Sequence, residues 1–163
     1  MSARYADICA FIYREARYLD DRNWEAWLDL YAPEAEYWMP AWDDDDQLTE
    51  DPQSQISLIY YPNRNGLEDR VFRIQTERSS ASMPEPRTNH MVTNVEVLQQ
   101  QGDTVEVRYN FHTLSHRYKE TSHFFGTTFL TLREHIDGSY RIMRKKIILK
   151  DDYIRQVVDI YHL

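Results

Sequence analysis

The segment that most restricts the fold is Thr104–Tyr118, because its apolar and polar residues alternate with a period of two. Successive side chains of a β-strand point to opposite faces, so this pattern predicts a strand with one face in a core and one in a polar environment. The apolar positions are Val105, Val107, Tyr109 and Phe111, and the polar positions between them are Glu106, Arg108, Asn110 and His112. The rest of the chain must therefore cover the apolar face.

Three further segments predict strands on either side of this one. Thr88–Leu98 precedes it, and Phe124–Arg133 and Ser139–Lys150 follow it. A Gln-Gly-Asp turn at residues 101–103 and an Asp-Gly pair at 137–138 mark tight connections between neighbouring segments. Four strands joined by short turns predict an antiparallel meander.

Helical spacing dominates the first half of the chain. An apolar stripe predicts a helix over residues 3–19, and aromatic and aliphatic residues predict a second helix over Trp24–Tyr31 that ends near Pro33. A third stripe runs from Leu67 to Ile74. Helices followed by a long curled sheet predict an α+β cone of the cystatin-like or nuclear-transport-factor-like type, with the N-terminal helices packed on the sheet. The chain length of 163 residues suits a single domain, 1–163.

The segments between these elements give weaker signals. Glu36–Trp42 predicts a short strand, in which Pro40 favours an edge or bulge position. Ile56–Tyr61 is too short to assign by period, and the Ser- and Pro-containing segment Ser79–Pro86 predicts a loop. The acidic run Asp43–Asp46 lacks the glycine and closing glutamate of a calcium loop, so a solvated loop is favoured over a cation site or contact with a basic partner.

The C-terminal residues 154–161 have apolar side chains at helical spacing. An apolar terminus of this kind is expected to pack on the domain or on a neighbouring subunit. Deletion of Asp159–Leu163 is therefore expected to weaken assembly or solubility.

The charge and hydropathy patterns exclude several classes of partner. The formal net charge of -8 argues against nucleic acid or an anionic membrane surface as the main partner. No apolar run approaches the roughly 18 residues of a membrane span, and the N-terminal sequence has no signal-peptide layout. These features predict a soluble cytoplasmic protein.

The cysteine count and the spacing of the histidines exclude several kinds of metal site. A single cysteine, Cys9, excludes an internal disulfide, a Cys-rich zinc site and a Rieske or other iron–sulfur cluster within one chain. Cys9 lies in an apolar helical pattern, which favours a buried structural side chain over a nucleophile. His112 and His116 share a strand face but lie roughly 13 Å apart at ~3.3 Å per residue, so they are not expected to bind one iron together.

The block Ile56–Val97 resembles the small (β) subunit of aromatic-ring-hydroxylating dioxygenases, and most resembles the branch that acts on benzoate, toluate and anthranilate. The resemblance covers nearly the whole chain. It includes FIYREARYLDDRNWEAWLDLYAPEAEYWMPAW near the start, YNFHTLSHRY in the central strand and DDYIRQVVDIYHL at the end. A similarity of this length is much more specific than a short motif.

The resemblance implies a structural role within an assembly. In that family, three β subunits support three α subunits, an α3β3 hexamer. The α subunit carries the Rieske 2Fe-2S cluster and the mononuclear Fe(II) where oxygen and the aromatic acid react, and an NADH-dependent reductase supplies the electrons. The β subunit has no cofactor, metal or known catalytic residue, which implies none for this chain.

The polar face of the central strand is the predicted surface for contacts with α and other β subunits. An antiparallel sheet can leave one face in water, and such a face offers hydrogen bonds and shape to a neighbour. The last predicted strand adds a basic stripe that includes Lys145 and Lys146 and is either solvated or paired with acidic groups of a partner. The predicted interface residues are Arg108, Asn110, His112, His116, Arg141 and Arg144.

The rival hypothesis is an independent enzyme. Cone-shaped α+β domains also house small-molecule isomerases and dehydratases that transfer protons inside the cone. The candidate residues for such chemistry are His90, His112, Tyr109 and Asp29. Their structural alternatives are a core aromatic for Tyr109 and a surface or interface side chain for His112.

Overall fold

A computed structural model describes residues 5–43, 45–80, 85–151 and 158–163, with the side chains of 78–80 left out. These residues contain three helices and six strands, followed by a final 3-10 turn. The helices are α1 (Tyr5–Asp20), α2 (Trp24–Leu28) and α3 (Arg64–Ser80). The strands are β1 (Tyr31–Pro40), β2 (Ser57–Tyr61), β3 (Arg87–Gln101), β4 (Thr104–Arg117), β5 (Glu120–Glu134) and β6 (Tyr140–Leu149). The final turn is Ile160–His162.

The strands form one sheet in the order β2-β1-β6-β5-β4-β3. The predicted meander is confirmed, because β3 to β6 pair successively and antiparallel. β1 pairs antiparallel with β2 and parallel with β6, so the first strand of the chain lies beside the last. Helices α1 and α3 pack over one face of this sheet, here called the inner face, and the opposite face is called the outer face. The predicted α+β cone is therefore correct.

The alternation of β4 determines which residues belong to each face. From Val105 to Ser115, every odd-numbered residue is buried and every even-numbered residue is half-buried. The odd positions join the helices in one core, in which Ile8 and Ile12 of α1 contribute side chains with no exposed surface. The even positions form the centre of the outer face.

The predicted boundary between the second helix and the first strand is wrong. Helix α2 ends at Leu28, and Tyr31 already pairs with Ile142 of β6. Pro33 lies inside β1, in the irregular stretch between Tyr31 and Glu36 where the register with β6 shifts. A proline without a backbone N–H is tolerated there because the ladder is already interrupted.

The predicted edge or bulge position of Pro40 is confirmed. The register of β1 with β2 shifts between Met39 and Pro40, which gives the bulge or similar irregularity, while β1 itself lies between β2 and β6. The edge strand on this side of the sheet is β2, the short segment whose type the sequence left open. Its Ser57 hydroxyl accepts a 2.9 Å hydrogen bond from Trp38 Nε1 of β1.

Two connecting segments were predicted with less detail. Helix α3 continues to Ser80, so the predicted loop at Ser79–Pro86 begins too early, and residues 81–84 lie outside the described part. In the acidic loop, one Asp43 carboxylate oxygen accepts hydrogen bonds from the backbone N–H groups of Asp45 and Gln47.

No described helix is long and apolar enough to cross a membrane.

Candidate functional site

The outer face carries all six predicted interface residues. Arg108, Asn110, His112 and His116 occupy even positions of β4. On β6, Arg141 is aligned with Arg133 of β5, and Arg144 is aligned with Thr131. Residues aligned across antiparallel strands point to the same side of a sheet, so the two β6 arginines extend the face that β4 begins.

Most charges on this face already have partners within the chain. Arg108 Nε lies 3.7 Å from a Glu96 carboxylate oxygen, and its guanidinium lies over the ring of Phe129. Arg144 Nε donates a 2.7 Å hydrogen bond to Glu36. The outer face therefore has a smaller local positive charge than the basic residues of β6 indicate, because the glutamate of each ion pair offsets the charge of its arginine.

A patch of histidine and exposed apolar side chains lies at one end of the outer face. His112 is aligned with Met91 on β3 and with Phe125 on β5, which are 40% and 47% exposed. His112 Nε2 lies 2.9 Å from Nδ1 of His123, and the two rings are stacked. Exposed Met and aromatic groups are enriched at protein interfaces. The sequence analysis missed Met91 and Phe125, because it predicted the strands but not the register that places these residues beside His112.

A polar cleft of about 400 Å³ borders the Arg141 end of the outer face. Its lining includes Arg64, Arg133, Arg141, Glu34 and Asp137. Arg64 donates to the carbonyl of Tyr31, Arg141 donates to the carbonyl of Tyr140, and Arg133 lies 3.5 Å from Glu34. All three guanidinium groups are therefore held by the chain itself. The cleft is thus an open, internally paired charged surface.

The inner face contains a buried ion pair that the sequence analysis missed. Lys145 Nζ lies 2.8 Å from Glu15 Oε1, and the two side chains are 1% and 4% exposed. Trp27 Nε1 and the Tyr31 hydroxyl each donate a 3.0 Å hydrogen bond to the same oxygen. One carboxylate oxygen of α1 is therefore the acceptor for groups from α2, β1 and β6.

The placement of Lys145 corrects the predicted solvent-facing basic stripe of β6. One extra residue, Met143, lies in β6 where its register with β5 shifts, so the inward parity changes after Ile142. Lys145 is consequently in phase with buried Ile147 and Leu149. Glu15 likewise falls on the apolar stripe of α1, between Ile12 and Leu19, which is the sequence signal that could have identified the pair.

The four residues of the rival enzyme hypothesis do not converge on one site. Tyr109 is buried on the inner face, whereas His112 lies on the outer face and Asp29 is exposed at the end of α2. Burial raises the pKa of the Tyr109 hydroxyl well above its ordinary value, and the nearby Glu15 carboxylate adds to this effect. Tyr109 is therefore a protonated phenol in the core, as its structural alternative predicts.

His90 belongs to a different inner-face cluster, beneath the final turn. Its Nδ1 lies 2.5 Å from an Asp20 carboxylate oxygen at the end of α1. Burial opposes ionisation of Asp20, but the hydrogen bond and charge of His90 outweigh it and lower the pKa of this carboxyl. Next to this pair, the ring of His162 stacks on Phe124 with 4.1 Å between ring centroids. The stack on Phe124 thus attaches the C-terminal turn to the sheet, beside the strand that His90 joins to α1.

The turn also pairs with α3. Arg70 forms a two-pronged ion pair with the carboxylate of Asp159, and this carboxylate raises the pKa of the guanidinium. The turn's Ile160 and Leu163 are buried in the core, which confirms that the C-terminus packs on the domain. The predicted helical segment at residues 154–161 is otherwise untested, because residues 152–157 lie outside the described part.

Lowering the pH is expected to destabilise the chain through His162. Its pKa is lowered to about 3, chiefly by burial and further by the positive charges of Arg22, His90 and Arg117, while Asp159 partly opposes the shift. The unfolded chain binds a proton near pH 6.5 and the folded chain does not, so stability is complete above pH 6.5 and is lost as the pH falls toward 3. We expect His162 to contribute a loss of roughly 2 kcal/mol between pH 6.5 and 5.

Urea denaturation of the wild type and of His162→Phe at several pH values measures this contribution. The phenylalanine variant keeps an aromatic ring on Phe124 but has no titrating nitrogen. Parallel pH profiles for the two proteins would contradict the assignment to His162.

The described residues contain no group of three or more His, Cys, Asp or Glu side chains arranged to hold a metal ion. Comparison with known proteins identifies the family of this chain. Residues 14–156 match the model of the family described as the ring hydroxylating beta subunit. The chain belongs to this family.

The similarity of this β-subunit family member to individual proteins extends over its full length. It is 60% identical to the toluate 1,2-dioxygenase subunit beta of Pseudomonas putida, with 100% of both chains covered. The crystal structure of the β subunit of the benzoate 1,2-dioxygenase from Burkholderia mallei has a TM-score of 0.87 at 50% identity, covering 100% of this chain and 99% of that one.

The fold of this β-subunit family member also occurs in a protein of another type. A putative scytalone dehydratase from Novosphingobium aromaticivorans has a TM-score of 0.66 at 16% identity, with 95% of this chain and 91% of that chain covered. A likeness at this identity demonstrates a shared fold alone.

Proposed function

We propose that this chain is the non-catalytic, structural small subunit of a terminal oxygenase that cis-dihydroxylates an aromatic carboxylate of the benzoate, toluate or anthranilate class. The observation that carries this proposal is the full-length 60% identity to a toluate 1,2-dioxygenase β subunit. The 50% identical β subunit from a benzoate 1,2-dioxygenase supports the same substrate class. The reaction consumes O2 and electrons derived from NADH.

The iron centres belong to the large subunit in this proposal. A Rieske centre requires two cysteines, and this chain has one, which lies buried in α1. The large subunit supplies both the 2Fe-2S cluster and the mononuclear Fe(II), and an NADH-dependent reductase delivers the electrons. The assembly is an α3β3 hexamer in the cytoplasm, and each β chain acts as one domain that supports the α subunits.

The outer face provides the subunit contacts in this proposal. Its support is the combination of polar groups at Arg108, Asn110 and His116 with the exposed patch around His112. Interfaces typically combine such an apolar centre with a polar rim. The arginines of β6, Arg141 and Arg144, extend that rim toward the polar cleft.

Light scattering and metal analysis test the proposed function. The chain is purified alone and after co-expression with a Rieske-type large subunit. We expect iron only in the co-expressed material, in a hexamer-sized particle that oxidises an aromatic acid when a reductase is added. A chain that remains a small oligomer and ignores the large subunit would refute the proposal.

Charge reversal on the outer face tests the proposed interface. Arg108→Glu reverses the charge at this position of the proposed contact surface, so we expect about tenfold or greater weakening of assembly, because a partner surface that complements an arginine repels a carboxylate. Sedimentation across a concentration series measures the effect. Arg73→Glu, on the exposed side of α3, is the matched control and should leave assembly unchanged. Equal assembly of both variants would remove Arg108 from the interface.

A further inference from the structure

Three buried polar atoms beneath the final turn have no hydrogen-bond partner among the described residues. They are Nε2 of His90, the hydroxyl oxygen of Thr113 and Nε2 of His162. The side chains of His90, Thr113 and His162 are almost wholly buried, as the relative exposures of 3%, 0% and 2% indicate. Most buried polar groups in proteins are satisfied, so three orphans in one region require a physical account.

The register of the sheet brings these three groups together. His90 of β3 is aligned with Thr113 of β4, and Thr113 is aligned with Phe124 of β5. His162 stacks on the ring of Phe124, so it covers the same row of side chains from above. Neighbouring strands lie about 4.8 Å apart, which makes the three polar groups close neighbours in one enclosed region.

The partners of the two imidazoles determine what each free nitrogen offers. His162 Nδ1 accepts a 3.0 Å hydrogen bond from the backbone N–H of Asp159, so in the neutral ring Nε2 carries the proton and is a donor. His90 Nδ1 donates to Asp20, so in its neutral ring Nε2 is an acceptor. The Thr113 hydroxyl can act in either way. When both rings are neutral, the region therefore offers one donor, one acceptor and one group that can be either.

We propose that His90, Thr113 and His162 enclose a binding site for one ordered water molecule. The water accepts the Nε2–H of His162, donates to Nε2 of His90 and makes its third hydrogen bond to Thr113. Three hydrogen bonds are the usual number for a buried water. The result is a continuous chain of hydrogen bonds from Asp20 through His90, the water and His162 to the Asp159 backbone, and through the Asp159 carboxylate to Arg70.

A water fits these groups better than a metal ion does. A metal would need the lone pair of His162 Nε2, but the backbone N–H of Asp159 already uses the lone pair of Nδ1 and leaves Nε2 protonated. The guanidinium groups of Arg22 and Arg117 also lie close enough to lower the pKa of His162, and the same positive charges disfavour a bound cation. A small neutral molecule with both donors and acceptors meets neither obstacle.

Substitution of Thr113 distinguishes a bound water from a dry core by the direction in which the melting temperature changes. If the water is bound, Thr113→Val removes one of its three hydrogen bonds, and the melting temperature of the full chain at pH 8 falls by roughly 2–4 °C. If the hydroxyl is instead an orphan in a dry core, valine removes an unsatisfied polar group of the same shape, and the melting temperature stays equal or rises. Thr113→Ser is the matched control, because it keeps the hydroxyl.

A crystal structure of the full chain at about 1.2 Å resolution, with data from Thr113→Val beside it, completes the test. We expect density for one water within hydrogen-bond distance of all three atoms in the wild type. Density for a metal, an empty site or a direct bond between the two imidazoles would overturn the proposal. An equal or higher melting temperature for Thr113→Val would overturn it as well.

Discussion

Replacing Lys145 with methionine is expected to lower the free energy of unfolding by about 3–5 kcal/mol. The substitution leaves the Glu15 carboxylate buried without its positive partner, and removal of one member of a buried pair costs more than the pair itself contributes. Methionine nearly preserves the volume of the lysine stem, so the loss reports on the charge. Urea denaturation followed by far-UV circular dichroism measures it.

The matched control for Lys145 lies next to it on β6. Arg144→Met removes the ion pair with Glu36, but both of those side chains are partly exposed, and we expect a cost below about 1 kcal/mol. The double variant Glu15→Gln/Lys145→Met keeps an oxygen acceptor for Trp27 and Tyr31 without a buried charge, and should recover part of the loss. Equal costs at Lys145 and Arg144 would contradict the buried-pair account.

Deletion of Asp159–Leu163 is expected to cost at least about 4 kcal/mol and to reduce the soluble yield. The deletion exposes the core surface that Ile160 and Leu163 cover, and each buried aliphatic side chain contributes about 1.5–3 kcal/mol. It also leaves Arg70 without the Asp159 carboxylate. Denaturation and size-exclusion chromatography of the truncated chain measure both effects.

A point variant within the turn separates loss of the turn from loss of one contact. Tyr161→Ala removes a half-buried ring that lies under the guanidinium of Arg22, while Ile160 and Leu163 remain. We expect about 1 kcal/mol from this variant. A truncated chain as stable as Tyr161→Ala would indicate that the turn contributes little to the core.

The fold was predictable from the sequence where the evidence for it was local. The alternation of β4 gave the correct faces, since burial on one side of a sheet requires a period of two. The tight turns that join β3 to β6 likewise lie between segments adjacent in sequence. The end of α2 was not predictable in this way, because Tyr31 at helical spacing is equally compatible with its actual position at the start of β1.

The candidate site was predictable in its location but not in its details. The parity of β4 placed Arg108 and His112 on one face, whereas the inward turn of Lys145 depends on a single extra residue in β6. The resulting change of parity is obscured in the sequence, because the run Ile147–Leu149 is apolar at odd and even positions alike. The internal partners of Arg108 and Arg144 come from β3 and β1, and only the three-dimensional pairing of the strands brings those glutamates near.

The parallel pairing of β1 with β6 has a consequence for synthesis on the ribosome. One long edge of β1 stays unpaired until residues 140–149 have left the exit tunnel. The ion pair between Glu15 of α1 and Lys145 of β6 also cannot form before then, because these residues are 130 positions apart. Pairings this distant in sequence form slowly, and open strand edges attract other chains in the meantime. The nascent chain should therefore depend on chaperones until β6 is free to pair, and a ribosome stalled before residue 140 should yield an aggregation-prone fragment.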